Sequence, residues 1–370
     1  MMAEENKTVH TVPSDAEQIP IVWRYEFLKY LRSWRLLASI GIAVLVLTLI
    51  YVIPPALGHP YSGTDSDQTL SLVPAGAFQV GGSGGPVPVA AALLDRSNID
   101  SSSVAIFLNG TAYPSSNGAN WFVSNVEYGG QNVWAVFFVE DVSVNTVTAT
   151  YDWQTSPESF AGNFLGFASL LVVICATFFG ADSLVGEFQN RTGYLIFPNP
   201  LKRWVLYAGK FAASMTAGGI VVVLFYAGIG VLSLVSAGGV DDDFLLSLGF
   251  AALYLMAAMA VAYLISTVLK GTTGATVLTF FLFVMIMPIV DGISSIAGTK
   301  IQGSLTFAAG VIGYILNDPY PTDASQTFPG GMSIQSYYPD PATAAVVMIA
   351  YAAIAIGLSM YLFKRKQLAG

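Results

Sequence analysis

The chain has 370 residues, of which 54% are hydrophobic and 10% charged, with a formal net charge of −8 at pH 7. Soluble domains carry about 25% charged residues, so this composition argues against a soluble fold and makes the bilayer the natural solvent. The acidity leaves no basic patch for nucleic acid, the single Cys175 excludes an intrachain disulfide framework, and His10 and His59 both lie outside the apolar runs, which leaves no basis for histidine-ligated zinc within the membrane.

Residues 1–20 open with Met1-Met2-Ala3-Glu4-Glu5, polar and acidic where a cleavable signal is basic and then apolar, and read as a disordered cytoplasmic tail. Residues 21–35 read as an amphipathic basic helix in the membrane interface. Phe27, Leu28, Leu31 and Trp34 fall at helical spacing, with Arg24, Lys29, Arg32 and Arg35 between them and Trp23 and Trp34 suited to headgroup depth. A generic juxtamembrane anchor is the plainer reading of the same residues.

A spanning helix needs roughly 20 apolar residues. Six runs qualify: 36–53, 160–181, 205–236, 244–269, 273–290 and 342–363. Residues 54–159, between the first and second, change composition. Runs 87–94, 104–108, 121–126, 133–139 and 142–151 have strand character and are separated by Gly, Ser, Asn and Pro, which predicts an inserted extracellular β-rich domain resembling a small sandwich. Asn109-Gly110-Thr111 within it is a glycosylation sequon. Residues 182–204 form a cytoplasmic loop, and Pro288 is expected to kink or end the fifth span. In the outer loop 291–341, the apolar run 305–316 is too short to cross and reads as a re-entrant or interfacial helix; residues 364–370 form a cytoplasmic tail. Lys and Arg cluster before the first span, between the second and third, and after the sixth, whereas the other side holds only Arg96 and Lys300. The positive-inside rule then places both termini in the cytoplasm of a multi-pass plasma-membrane protein.

The segment 186–210 carries the most information. Glu187 opens it, Gly193 follows, Pro200 and Arg203 make a Pro-x-x-Arg turn, and Gly209-Lys210 begin the third span. This pattern resembles the cytoplasmic loop of ABC-2 type permeases, the membrane subunits of type V ABC exporters; the family's Gly-Thr order is reversed here as Thr192-Gly193. The resemblance implies a separate nucleotide-binding ATPase subunit as partner, with ATP and magnesium held there and no cofactor in this chain. It implies coupling to that subunit through Glu187, Arg191, Gly193, Pro200, Lys202 and Arg203, and a second permease copy or a homologous permease beside it. The residues themselves agree: Leu195, Ile196 and Phe197 would face water unless they packed on something. Packing of this hairpin on the chain's own interfacial helix is the alternative.

The chain lacks a P-loop, because Gly209-Lys210 is followed by Phe211 and Gly271-Thr272-Thr273-Gly274 by no lysine. It is therefore not expected to be an enzyme by itself. With Asp182 and Asp291 placed at span ends, no carboxylate falls inside the six runs, against an ion-coupled carrier. The expectation is a permease exporting a hydrophobic or amphipathic substrate. A membrane-anchored display, sensor or assembly protein without transport activity is the second reading.

Overall fold

The computed structural model describes residues 14–75, 88–96, 98–115, 120–128, 131–142, 146–189, 202–327 and 333–365. The chain divides into two compact units: Met1–Leu49 with Gly162–Ile229 and Asp242–Gly370, and Ile50–Ala161 with Gly230–Asp241.

The first unit is helical. Its α1 (Asp15–Leu31) starts earlier than the expected residue 21, so residues 15–20 are helix and not disordered tail. The cause is local: the Ser14 N–H donates to the Glu17 carboxylate at 2.8 Å, which gives the helix a defined start. The chain breaks at Arg32–Ser33, where the Ser33 hydroxyl donates to the Tyr30 carbonyl, and restarts as α2 (Trp34–Ala56). Trp34 and Arg35 thus belong to the first span and not to the helix before it.

Six helices among the described residues are long and apolar enough to cross a membrane. After α2, the second span is α3 (Pro157–Leu165) and α4 (Ala168–Phe179), interrupted at Gly166-Phe167. A short α5 (Val185–Gln189) precedes the third span, α6 (Arg203–Ser236), and the fourth is α7 (Phe244–Val268). The fifth comprises α8 (Thr272–Phe281), a π-helical segment (Leu282–Ile286) and α9 (Met287–Ile296). Pro288 therefore does not end this span at residue 290. The Met287 N–H bonds the Leu282 carbonyl, one residue beyond α register. Widening the helix just before a proline relieves its clash with the preceding turn.

The apolar run at 305–316 folds as α10 (Leu305–Ala309) and α11 (Val311–Tyr314), with Leu305, Val311 and Ile312 buried against the other helices. Most of the run packs against the other helices, with Tyr314 exposed at its end. The strands β9 (Ala324–Thr327) and β10 (Ser333–Ser336) pair before the sixth span, α12 (Pro341–Arg365).

The fourth span is the centre of the helical unit. Just over half of its most apolar stretch is buried (56%), as in the second span, against 17% for the first and fifth. It packs along α12 and α4, and its small residues Ala257, Ala258, Ala260 and Ala262 are 0% exposed. In lipid, helices gain little from burying apolar area against each other, so close approach of small residues carries association. Gly180 shows how close: a Cβ there would stand 2.7 Å from Met259 Sδ and 2.9 Å from Ala262 Cβ.

The second unit is β-rich. One antiparallel sheet has the order β1 (Ser62–Thr69), β8 (Val147–Gln154), β4 (Ala105–Leu108), β5 (Thr111–Tyr113). The other runs β2 (Leu72–Pro74), β3 (Ala90–Leu93), β7 (Gln131–Phe138), β6 (Trp121–Tyr128). Alternate residues of β8 (Val147, Ala149, Tyr151, Trp153) join Ile106, Ala92, Trp121, Val136 and Phe138 in one buried cluster, so both sheets contribute to a common core. Each large side chain fully buried there contributes about 1.5–3 kcal/mol. The strand expected at 142–151 lies at Val147–Gln154, since its alternation starts at Val147. β7 has apolar residues in continuous succession and is buried on both faces; Ala135 and Phe137 face a second cluster, where Phe122 stacks on Phe137 at 5.2 Å. β1 escaped prediction: its sequence is polar and its pattern mostly exposed, and it is held as an edge strand by pairing with β8.

Candidate functional site

Three elements meet in the helical unit at Lys210, in the second turn of the third span. Its ammonium is 2.7 Å from Glu26 Oε1 on α1 and 2.7 Å from Glu187 Oε1 on α5. Lys210 is 1% exposed, and the two carboxylates are nearly as buried. A buried lysine lacking partners would be costly, and one lysine between two carboxylates still leaves one negative charge in excess. Lys29, one helical turn from Glu26, supplies partial compensation at 3.6 Å.

Local sequence explains the close approach. A Cβ at Gly209 would fall 2.6 Å from Val22 Cβ, so only glycine lets α1 lie against the third span there. The next residue then reaches Glu26. The Gly-Lys pair thus has two physical roles, contact and charge. Trp23, on the same helix, donates its indole N–H to the Thr216 hydroxyl at 3.0 Å and stacks on Phe27.

Hydroxyl groups extend the arrangement inward. Tyr30 OH lies 3.0 Å from Ser214 Oγ and donates to the Phe179 carbonyl at 3.0 Å. Burial pushes the Tyr30 phenol up, so it remains a neutral donor at physiological pH. Ser214 Oγ is 2.7 Å from Tyr263 OH, which is 2.8 Å from Ser183 Oγ. Ser266 accepts the backbone N–H groups of Leu184 and Val185. The turn leading into α5 is therefore bonded to the fourth span. Arg35 closes the other side with a two-point ion pair to Asp182, at 2.6 and 2.8 Å. A cavity of about 420 Å³ opens among these groups, lined by Tyr25, Glu26, Lys29, Arg35, Asp182, Glu187 and Lys210 among others. Its three cations and three carboxylates balance, and each of the six has an opposite partner. That suits a joint between helices better than an ion-binding site.

α1 presents two faces. Gln18, Glu26 and Tyr30 are buried, whereas Ile21, Tyr25, Leu28 and Leu31 form an exposed apolar stripe, with Arg24, Lys29 and Arg32 also exposed. Of the residues assigned to coupling by resemblance, Glu187 is buried in the ion triad. Lys202 is exposed and paired with Asp15 at 2.7 Å, and Arg203 donates to the Lys364 carbonyl at 2.9 Å. Arg191, Gly193 and Pro200 lie outside the described residues. Asn109 occupies the turn between β4 and β5 with φ 51°, and its side-chain oxygen accepts the Thr146 N–H. Sequence reasoning missed Glu26 and Tyr30. The signal available was polar residues four and eight apart on a helix whose opposite stripe is apolar.

The profile of the family described as ABC-2 family transporter protein matches residues 20–368. The chain belongs to the ABC-2 transporter family. No curated protein sequence matches it. The family match begins inside α1 and ends past α12, so it covers the β-rich unit and nearly all of the helical unit of this ABC-2 family member. Six apolar helices together with the family make the ABC-2 chain a multi-pass membrane protein and a transporter component.

Proposed function

We propose that this chain is the permease subunit of an ATP-driven exporter of type V, paired with a separate ATPase subunit and with a second permease copy or homologue. It would move a hydrophobic or amphipathic substrate and catalyse no chemistry itself; ATP and magnesium would be held by the partner. The observation that carries the reading is the Lys210–Glu26–Glu187 triad. It joins α1, the third span and the segment that leads into residues 190–201, so force applied to that segment reaches the interfacial helix and one transmembrane span at once.

Orientation follows from charge. Arg203 contacts Lys364, and Lys202 pairs with Asp15, so the basic clusters flanking the third and sixth spans and the start of α1 share one end of the helical unit. The positive-inside rule makes that end cytoplasmic, with both termini inside, the β-sandwich outside, and the plasma membrane as location. The exposed apolar stripe of α1 then rests in the headgroup layer, with Arg24, Lys29 and Arg32 toward anionic lipid.

A photo-crosslinking residue placed at Arg191 tests the reading in native membranes. Capture of an ATPase subunit is expected, reduced when Lys202 carries the opposite charge (Lys202→Glu). Adducts formed only within the chain would mean that the loop packs on its own helix, and the coupling assignment would fall.

A further inference from the structure

The π-helical segment of the fifth span borders a cavity of about 310 Å³, lined by Leu170, Val173, Tyr254, Phe283, Pro288 and Asp291 among others. That volume lies at the low end of the range for small-molecule sites, about 300–1,000 Å³. The walls are mostly apolar and aromatic, with the hydroxyls of Ser169 and Thr306 and one carboxylate, Asp291. Asp291 also stands between residues whose side chains face outward and are apolar: Ile289 is 54% exposed and Ile293 61%. A carboxylate inside such a helical surface is a functional feature by default. The expectation that it marks a span end is corrected here, since the helix continues to Ile296.

Its two oxygens differ. Oδ2 accepts the Thr306 hydroxyl at 2.5 Å, whereas Oδ1 is shielded from solvent and has no hydrogen-bond partner among the described residues. No lysine or arginine pairs with Asp291 among the described residues either. Leaving a buried acceptor unmet costs about 1–3 kcal/mol, more for a charged one. The terminal torsion of aspartate is soft, so a modest turn presents Oδ1 to the cavity. Tyr254 and Phe283 stand edge to face beside it, with ring centroids 6.5 Å apart, and aromatic faces attract cations.

We infer that this cavity binds a small apolar ligand bearing a protonated amine, with the ammonium on Asp291 and the apolar body against Phe283, Leu170 and Val173. The ammonium supplies both the donor that Oδ1 lacks and the charge that its environment leaves uncompensated. Anionic ligands are excluded by the same carboxylate. The site does not depend on the ligand being the exported cargo, and the chain alone suffices to test it.

The experiment is calorimetric titration of the full chain in lipid nanodiscs, with empty nanodiscs subtracted, using phenylbutylamine and its neutral analogue phenylbutanol. The wild type is expected to bind the amine saturably, and Asp291→Asn about tenfold more weakly, the scale of one charge-assisted hydrogen bond. Phenylbutanol should bind both proteins alike. Leu170→Trp, at a 40% exposed lining position, adds bulk to the cavity while leaving the Asp291 carboxylate in the chain and should abolish amine binding; it decides the matter if Asp291→Asn fails to fold. Equal binding of amine and alcohol by the wild type, unchanged amine affinity in Asp291→Asn, or unchanged affinity in Leu170→Trp would overturn the inference.

Discussion

Replacing Lys210 by alanine removes the cation that, among the described residues, contacts both Glu26 (7% exposed) and Glu187 (8% exposed). Two carboxylates then face each other, both largely buried. Removing one partner of a buried ion pair typically costs about 3–5 kcal/mol. At roughly 2 °C per kcal/mol for a chain of this size, the melting temperature should fall by about 6–10 °C. Glu26→Gln is expected to be milder, because it leaves a neutral Lys210–Glu187 pair and a side chain still able to accept a hydrogen bond. The combination Lys210→Met, Glu26→Gln, Glu187→Gln removes the three charges of the triad, leaving the exposed Lys29 beside it, and should recover most of the loss, since neutral replacement of a buried ion network is often tolerated. Scanning fluorimetry of the purified chain in mild detergent reads all three. If Lys210→Ala melts with the wild type, or if the triple variant melts no higher than Lys210→Ala, the triad does not hold these helices together. The same triple variant separates stability from coupling: it should fold and bind the ATPase subunit, yet lose the stimulation of ATP hydrolysis that a cargo produces.

Gly209→Ala would put a Cβ 2.6 Å from Val22 Cβ; a loss of about 1–3 kcal/mol is expected, partly restored by Val22→Gly and visible as a paired shift and recovery in melting temperature. Phe137→Ala should destabilise the β-rich unit by about 3–5 kcal/mol, because Phe137 is 0% exposed; near-ultraviolet circular dichroism of its tryptophans would follow the unfolding. Asp340 and Asp323 are held below the usual carboxylate range, chiefly by the backbone N–H groups of Thr343 and Tyr338. A depressed folded value means the stabilisation is present above the unfolded value of about 3.9 and is lost as pH falls through the folded one. Melting temperature should therefore decline on acidification below about pH 4, with a shallower slope in Asp340→Asn; an identical slope would remove Asp340 from the account.

Spanning helices were legible because the bilayer demands a run of about 20 apolar residues, and the third, fourth and sixth spans fall within two residues of expectation. The fifth was drawn short because Asp291 interrupts the run, although Ile293 and Ile296 continue its apolar period. α1 was read as a helix at 21–35, whereas it runs Asp15–Leu31, and its buried residues include the polar Gln18 and Glu26, a choice that only its neighbour determines. Lys210 and Glu26 are 184 residues apart, and no local rule links them; Glu187 was legible as a residue of interest but not as a buried partner. That burial changes the design of any docking test. Glu187→Arg would set a third element's charge against Lys210 and disrupt the fold, so exposed Lys202 is the better probe of partner contact.

The most direct test is affinity purification of the tagged chain from its native membrane in mild detergent, with identification of every co-purifying subunit. An ATPase subunit is predicted to accompany the wild type in near-equal amount and to be depleted by Lys202→Glu. Recovery of the chain without any ATPase, even after cross-linking in the membrane, would contradict the permease assignment and favour a display or sensor role for the β-rich unit.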